Sequence, residues 1–119
     1  MKKTLIIGAS TNPERYASKA ANMLTQHGHS IVPMGLKKGI VAGAEIITNR
    51  PVLNDIDTVT LYLNPSNQKD WYTYLQELKP KRVIFNPGTE NEELRIILES
   101  KGIETLEACT LVMLATGQY

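Results

Sequence analysis

The feature that most constrains the fold of this chain is a regular alternation of short apolar runs with longer segments of helical periodicity. The apolar runs occupy residues 5–7, 30–33, 57–63, 82–86 and 103–106. Each run is too short for a buried helix and most are rich in β-branched residues, so five strands are predicted. Helices are predicted between them at 17–27, 72–78 and 92–101, and a short closing helix is predicted within 108–119.

This alternation determines how the predicted elements connect. Strands joined through helices by short links form right-handed crossovers, which give a parallel sheet with helices on both faces. We therefore predict an α/β, Rossmann-like, doubly wound parallel five-stranded sheet of order 3-2-1-4-5, with 57–63 as its third strand. A short extra strand is expected at 45–47, within the long loop 35–56. The 119 residues contain neither a linker nor an internal repeat, so 1–119 is expected to form one domain.

Composition and charge argue against several classes of protein. Lys and Arg total 13 and Asp and Glu total 12, so no excess of positive charge favours a nucleic acid partner. No run reaches the roughly 18 apolar residues that span a bilayer. The apolar run after Lys2 and Lys3 stops at Gly8, too early for an export signal. The single cysteine, Cys109, excludes an internal disulfide and favours a buried thiol in a reducing cytoplasm.

The loop after the first strand is a candidate ligand site, because ligands of doubly wound sheets bind beyond the carboxyl ends of the strands. The loop consists of small and polar residues, namely Gly8, Ala9, Ser10, Thr11 and Asn12. Small residues allow backbone amides to approach a pyrophosphate, and the following helix offers the positive end of its dipole. The same residues also suit a helix cap and turn, so both interpretations remain open.

The loop after the second strand bears on which nucleotide is bound. An NAD site would favour an Asp or Glu here to hold the ribose 2′-hydroxyl. No acidic residue is present, and the sequence reads Pro33-Met34-Gly35-Leu36-Lys37-Lys38-Gly39. The ammonium groups of Lys37 and Lys38 suit a nucleotide with an additional ribose phosphate, which describes both coenzyme A and NADP. The alternative is a solvated turn with two ordinary lysines.

Two further loops at the same predicted edge begin with asparagine and proline. Asn64-Pro65 follows the third strand, and Asn86-Pro87-Gly88 follows the fourth. The carboxamides could hydrogen-bond an adenine or an amide of a pantetheine chain. Asn-Pro is also a common start of a turn, so a purely structural role is equally compatible with each pair alone.

The sequence predicts no catalytic set and no metal site. His27 and His29 flank Gly28 at the edge opposite the expected ligand crevice, and Cys109 has no histidine close in sequence. A nucleophile with its base is therefore absent from the pattern. An NADP-dependent oxidoreductase would also need a proton donor near the nicotinamide, and no residue stands out for that role.

Taken in order, several segments resemble the small bacterial CoA-binding proteins, which share the N-terminal CoA-binding domain of succinyl-CoA synthetase α subunits. The segments are Gly8-Ala9-Ser10, Asn12-Pro13-Glu14-Arg15 with Ser18, Ile31-Val32-Pro33, Asn91-Glu92-Glu93 and Glu107-Ala108-Cys109. The resemblance implies a Rossmann-like fold that binds coenzyme A. It implies a phosphate site at Gly8, Ala9, Ser10, Asn12, Arg15 and Ser18. It also implies an adenosine site that includes Pro33 and Lys37. Asn86 and Gly88 match the family's pattern less well.

The leading hypothesis is a stand-alone coenzyme A or acyl-CoA binding protein without catalysis of its own. The ligase activity of the synthetase is not transferred, because its phosphorylated histidine belongs to a domain that has no counterpart in these residues. Two alternatives remain: an NADP-dependent oxidoreductase, and a regulatory or structural module whose nucleotide site has decayed. The partner is expected to be a small-molecule nucleotide, with no nucleic acid or membrane involved.

Overall fold

The computed structural model describes all residues from 1 to 119. The strands are β1 (Thr4–Ile7), β2 (Ile31–Met34), β3 (Ile40–Val41), β4 (Ala44–Glu45), β5 (Thr58–Leu61), β6 (Arg82–Phe85) and β7 (Glu104–Glu107). The α-helices are α1 (Tyr16–Gln26), α2 (Tyr72–Leu78), α3 (Glu92–Ser100) and α4 (Thr110–Ala115). Two 3-10 turns, Pro65–Asn67 and Lys69–Trp71, precede α2. The five predicted strands and four predicted helices are therefore confirmed, each within a few residues of the predicted bounds.

The main sheet is parallel throughout and runs in the order β2-β1-β5-β6-β7, while β3 and β4 form a separate antiparallel hairpin. A single parallel bridge joins Met34 to Ile47 and extends the sheet beyond β2. Counted with this bridge as the third strand, the order is 3-2-1-4-5-6. The α/β Rossmann-like fold and the 3-2-1-4-5 arrangement are thus confirmed, with helices on both faces.

One assignment within that order requires correction. The strand predicted third along the chain is β5, and it pairs with β1 in the middle of the sheet. The edge position beside β2, which the predicted order gave to that strand, is occupied by the segment at Ile47. Burial provides the physical reason. All four residues of β5 are buried, as are all four of β1, and a strand covered on both faces belongs in the middle of a sheet. Ile47 is only half-buried, as suits an edge.

The two faces of the sheet carry two apolar cores, because alternate residues of a strand point to opposite sides. Leu5 and Ile7 pack with the buried leucines of α2 and α3, whereas Ile6 packs with Ala21 of α1 and Leu114 of α4. The helix after β1 therefore lies on one face and the helix after β5 on the other. The order of strands switches at this point, and in doubly wound sheets such a switch marks the ligand crevice, here between β1 and β5 at the carboxyl edge.

None of the helices combines the length and the apolar character needed to cross a bilayer.

Candidate functional site

The crevice is bounded by two residues in direct apposition, Gly8 after β1 and Tyr62 after β5. Gly8 has a φ of +94°, and a Cβ at this position would lie 3.1 Å from the backbone carbonyl of Tyr62. The Tyr62 amide in turn donates to the Ile7 carbonyl oxygen at 2.9 Å. A left-handed backbone without room for a side chain requires glycine here. The sharp turn at Gly8 directs the following residues across the edge of the sheet.

A second close approach joins the loop after β1 to the loop after β2. The amides of Gly8 and Ala9 both donate to the Met34 carbonyl oxygen, at 3.0 and 2.8 Å. A Cβ on Gly35 would overlap the carbonyl oxygen of Ala9, and a Cβ on Gly39 would overlap the methyl group of Thr11. The segment between these two glycines, which contains Lys37 and Lys38, is therefore held against the glycine turn.

The glycine turn and the start of α1 expose several backbone amides without an acceptor in the protein. They are the N–H groups of Ser10, Thr11, Tyr16, Ala17 and Ser18. The side chains of Ser10 and Asn12 stabilise the turn itself, since they accept from the amides of Asn12 and Glu14 at 3.0 Å each. Both predicted roles are therefore compatible with the geometry, because the turn is internally bonded while its free donors lie at the N-terminus of α1, where an anion is favoured.

Four exposed cations lie on the neighbouring segments: Arg15, Lys37 and Lys38 lie beside the turn, and Lys19 lines the groove between α1 and α4. None of them forms an ion pair, and Lys19 lies over the Tyr16 ring at 5.3 Å. Of the other predicted residues here, Ser18 is buried in the first turn of α1, and Pro33 is buried in β2. Pro33 accepts a hydrogen bond from the Ile47 amide at 2.9 Å, so it supports the edge of the sheet.

The two Asn-Pro loops differ in how their asparagines are used. Asn64 is exposed and its Oδ1 caps the following 3-10 turn, accepting from the Asn67 amide at 3.2 Å. Asn86 is only 2% exposed, and its Nδ2 donates to the Thr60 hydroxyl at 2.6 Å and to the Leu61 carbonyl oxygen at 2.9 Å. Its Oδ1 accepts from the Thr110 amide at 2.9 Å. The structure therefore brings Asn64 to the open surface but places Asn86 in the interior.

Gly88 lies at the exposed end of the second Asn-Pro loop. Its φ is +92°, and a Cβ would meet no neighbouring atom. Its amide donates to a carboxylate oxygen of Glu90 at 2.9 Å. The conformation of the turn thus requires glycine, while its amide is already paired within the loop.

Sequence reasoning missed a fully buried glutamine, Gln68, that connects these two loops. Its Nε2 donates to the carbonyl oxygens of Leu63 and Thr89, both at 2.8 Å. A glutamine after Asn64-Pro65-Ser66-Asn67 resembles any polar turn residue, so the sequence contains no signal for its burial.

Tyr62 follows β5 directly, and its hydroxyl is buried without a hydrogen-bond partner. Burial raises the pKa of Tyr62 to about 12, an effect opposed by the hydroxyls of Thr60 and Thr110. The phenol is therefore protonated at neutral pH. The ring packs against the apolar core formed with α1 and α4.

Groups that could perform nucleophilic chemistry do not converge here. Cys109 precedes α4 and is partly exposed, in contrast to the buried thiol that we expected. His29 lies at the amino edge of the sheet, where its Nδ1 accepts from the Lys2 amide at 2.9 Å. No group of three or more His, Cys, Asp or Glu side chains is arranged as metal ligands would be.

Two surface grooves lie away from the glycine turn. One, of about 570 Å³, is formed by α1 and α4, and includes Met23 and Leu111. The other, of about 780 Å³, lies beside the C-terminal ends of α2 and α3, and includes Lys79 and Lys101. Lys79 and Lys101 follow the last residues of α2 and α3, where the negative end of the helix dipole favours a positive charge, so neither lysine indicates a ligand. The crevice at the carboxyl edge remains the candidate site because backbone amides without acceptors lie there, beside a segment with two unpaired lysines.

The parallel sheet, its switch point and the glycine turn define the class of Rossmann-like ligand-binding domains. Within that class, the chain belongs to the CoA binding domain family, which matches residues 2–115. The resemblance inferred from the sequence is thereby confirmed.

Solved structures agree with this assignment. An uncharacterised protein is 59% identical, with a TM-score of 0.98, over 100% of this chain and 98% of its own. A conserved hypothetical protein from Pyrococcus furiosus is 26% identical, with a TM-score of 0.82, over 94% of this chain and 98% of its own. A protein from Thermus thermophilus is 20% identical, with a TM-score of 0.88 over 99% and 90%, and shows the fold alone. A comparison with curated proteins gives no significant match.

Proposed function

We propose that this chain is a stand-alone binding protein for coenzyme A or an acyl-CoA, with no catalysis of its own. The observation that carries the proposal is the set of five backbone amides without acceptors around the glycine turn and the start of α1. Backbone donors at a helix N-terminus are suited to a pyrophosphate, because they combine hydrogen bonds with the positive end of the helix dipole. Membership of the CoA binding domain family supports coenzyme A as the ligand.

The cations beside this turn support a ligand with an additional phosphate. Lys37 and Lys38 are exposed and form no ion pair, so neither has a competing partner within the chain. The segment after Met34 contains no carboxylate that would hold a free ribose hydroxyl or repel a phosphate. The 3′-phosphate of coenzyme A fits this position, with Lys37 as its first candidate partner and Lys38 as the second.

The absence of a converging nucleophile and base favours binding over catalysis. Asn64 at the open edge could bond an amide of the ligand through its free Nδ2, whereas Asn86 and Gly88 shape the loop behind it. Arg15 and Ser18 complete the phosphate site through their position at the start of α1.

A thermal-shift comparison with coenzyme A, acetyl-CoA, NADP and NAD tests this function. A ligand at a hundredfold excess over its dissociation constant stabilises the folded state by about 3 kcal/mol. We expect stabilisation by coenzyme A and acetyl-CoA, and none by NAD. A larger shift with NADP would favour the oxidoreductase alternative, and no shift with any nucleotide would favour a decayed site.

The variant Ser10→Leu separates the ligand site from the fold. A leucine in the glycine turn would occupy the space beside the free amides, so the shift with coenzyme A should disappear. The melting temperature of the free protein should fall only slightly, through the loss of one exposed hydrogen bond to the Asn12 amide. If the free variant instead unfolds, Ser10 acts mainly through its hydrogen bond to the Asn12 amide.

A further inference from the structure

Gln68 is fully buried and lies between the loops that follow β5 and β6. A buried amide must find partners for both its nitrogen and its oxygen. Its Nε2 donates to the Leu63 and Thr89 carbonyl oxygens at 2.8 Å, and its Oε1 accepts from Asn91 Nδ2 at 2.9 Å. One side chain therefore ties together the first loop, the second loop and the start of α3.

The hydrogen-bond chain continues beyond Gln68 to the surface. Asn91 Nδ2 also donates to the Tyr72 hydroxyl at 2.9 Å, and that hydroxyl donates to a carboxylate oxygen of Glu93 at 3.0 Å. The Oδ1 atom of Asn91 caps α3 by accepting a hydrogen bond from the Leu94 amide at 3.2 Å. Gln68 is thus held in one orientation by a network whose remaining members have their own partners, which reduces its freedom to rotate.

The carbonyl that Gln68 holds belongs to the wall of the crevice. Leu63, whose oxygen accepts from Gln68, has its Cδ2 3.2 Å from the position of a Cβ on Gly8. The hydrogen bond from Gln68 therefore helps to hold Leu63 beside the glycine turn, together with the bond from the Tyr62 amide to the Ile7 carbonyl oxygen. Thr89, the other acceptor, is 5% exposed and belongs to the loop after the adjacent strand.

The order of the strands determines which part of a bound coenzyme A this wall would face. The loop with Lys37 follows β2, on one side of β1, and the two loops joined by Gln68 follow β5 and β6, on the other side. A ligand with its pyrophosphate at Gly8 and its 3′-phosphate at Lys37 would carry its adenosine on the β2 side and extend its pantetheine arm over β5 and β6. Neighbouring strands are about 4.8 Å apart, so both loops lie within reach of an arm that starts at Gly8.

We propose that Gln68 is a positioning residue that holds the two Asn-Pro loops as one preformed wall for the pantetheine arm of coenzyme A. The inference rests on the proposed function. Gln68 is buried and touches no ligand, so it acts through the positions of Leu63 and Thr89. A wall fixed before binding spares the ligand the cost of ordering two loops.

The variant Gln68→Met tests this role, because methionine preserves the length of the side chain but forms none of the three hydrogen bonds. We expect its affinity for coenzyme A to fall about tenfold, because that is the effect of losing one or two net hydrogen bonds. Its affinity for 3′,5′-adenosine diphosphate, the nucleotide half without the arm, should stay within about twofold of the unmodified protein. A merely structural role would change both affinities equally or neither.

Two companion variants keep the test independent of folding. Gln76→Met is the matched control, since Gln76 Nε2 donates to the Tyr72 carbonyl oxygen at 3.1 Å and contacts neither loop. Asn91→Ser preserves a favourable cap for α3 but removes the donor to Gln68. We expect the control to bind coenzyme A normally and Asn91→Ser to weaken it in the same direction as Gln68→Met, to a smaller extent.

Isothermal calorimetry, well below the melting temperature of each variant, distinguishes the outcomes. Selective loss for coenzyme A in Gln68→Met supports the inference. If Gln68→Met and the unmodified protein bind coenzyme A equally, or if both ligands weaken together, the positioning role is wrong while the proposed function stands. If the unmodified protein binds neither ligand, the proposed function and the inference fail together. If Gln68→Met does not fold, Asn91→Ser is judged instead. A selective loss of affinity for coenzyme A supports the inference, and equal or no losses for the two ligands contradict it.

Discussion

Gly35 packs directly against the carbonyl oxygen of Ala9, so the loop after β2 and the glycine turn after β1 meet backbone to backbone. This contact brings the lysine segment beside the free amides of the turn. Its partner contact, Gly39 against the Thr11 methyl group, differs in kind because a side chain can yield. The two glycines therefore make different demands on the fold, although both flank the same three residues.

Substitution of these glycines by alanine should separate the two contacts. Gly35→Ala forces backbone apart and should destabilise the protein by about 1–3 kcal/mol. Gly39→Ala should cost less, because the Thr11 side chain can rotate away, and Thr11→Ser should reduce that cost further by removing the methyl group. Urea unfolding measures all three. Equal losses at positions 35 and 39 would mean that the backbone contact at Ala9 is not as close as described.

Lys37→Ala should lower the affinity for coenzyme A but leave that for dephospho-CoA nearly unchanged. An exposed ammonium–phosphate contact contributes on the order of 1 kcal/mol and weakens as salt rises. Titrations of both ligands at low and high salt measure the effect, with Lys101→Ala as a control at the opposite edge of the sheet. Equal losses for the two ligands in Lys37→Ala would assign this lysine to a solvated turn.

The two asparagines that begin Asn-Pro loops should respond differently to alanine. Asn86→Ala leaves the Thr110 amide and the Leu61 carbonyl oxygen without their partner in the interior, which should cost about 3 kcal/mol of unfolding free energy. Asn64→Ala removes an exposed cap and should cost about 1 kcal/mol or less. Denaturant unfolding measures both changes. A small loss at Asn86 would restore it as a candidate for direct contact with the ligand.

The stability of the fold should decrease on the acid side because of His29. Burial, followed by the positive charges of the amino terminus, Lys2, His27 and Arg82, lowers the pKa of His29 below its usual value of 6.5. The folded protein therefore favours the neutral imidazole, whose Nδ1 accepts from the Lys2 amide. This stabilisation is complete above pH 6.5 and is lost as the pH falls below that value.

Unfolding free energies measured between pH 7.5 and 5 check this dependence on His29. The variant His29→Gln should show a shallower decline than the unmodified protein, because it has no imidazole to protonate. His27→Gln, at an exposed position two residues away, should retain the decline. If the two variants behave alike, the acid sensitivity arises elsewhere in the chain.

The sequence predicted the elements of the fold well because each short apolar run had only one reasonable interpretation. The placement of β5 was harder, since nothing in Thr58-Val59-Thr60-Leu61 reveals that it pairs with β1 rather than lying at an edge. Its two threonines look like exposed positions, yet both are fully buried. The Thr60 hydroxyl lies 2.8 Å from that of Thr110, a residue 50 positions later, so only the assembled fold explains its burial.

The candidate site was predictable only in part, for a similar reason. The glycine turn and the lysine segment follow from local chemistry, and the structure brings them together through Gly35 and Gly39. The asparagines could not be ranked, because Asn64-Pro65 and Asn86-Pro87 look alike along the chain. Which one is buried depends on the partners that β5 and α4 supply to Asn86.

A direct calorimetric titration of the purified chain with coenzyme A tests the central claim most closely. The account predicts saturable binding of one ligand per chain, weaker at high salt and abolished by Ser10→Leu, with no comparable heat from NAD. Absence of binding at millimolar coenzyme A, or binding that Ser10→Leu leaves unchanged, would contradict a ligand site at the glycine turn.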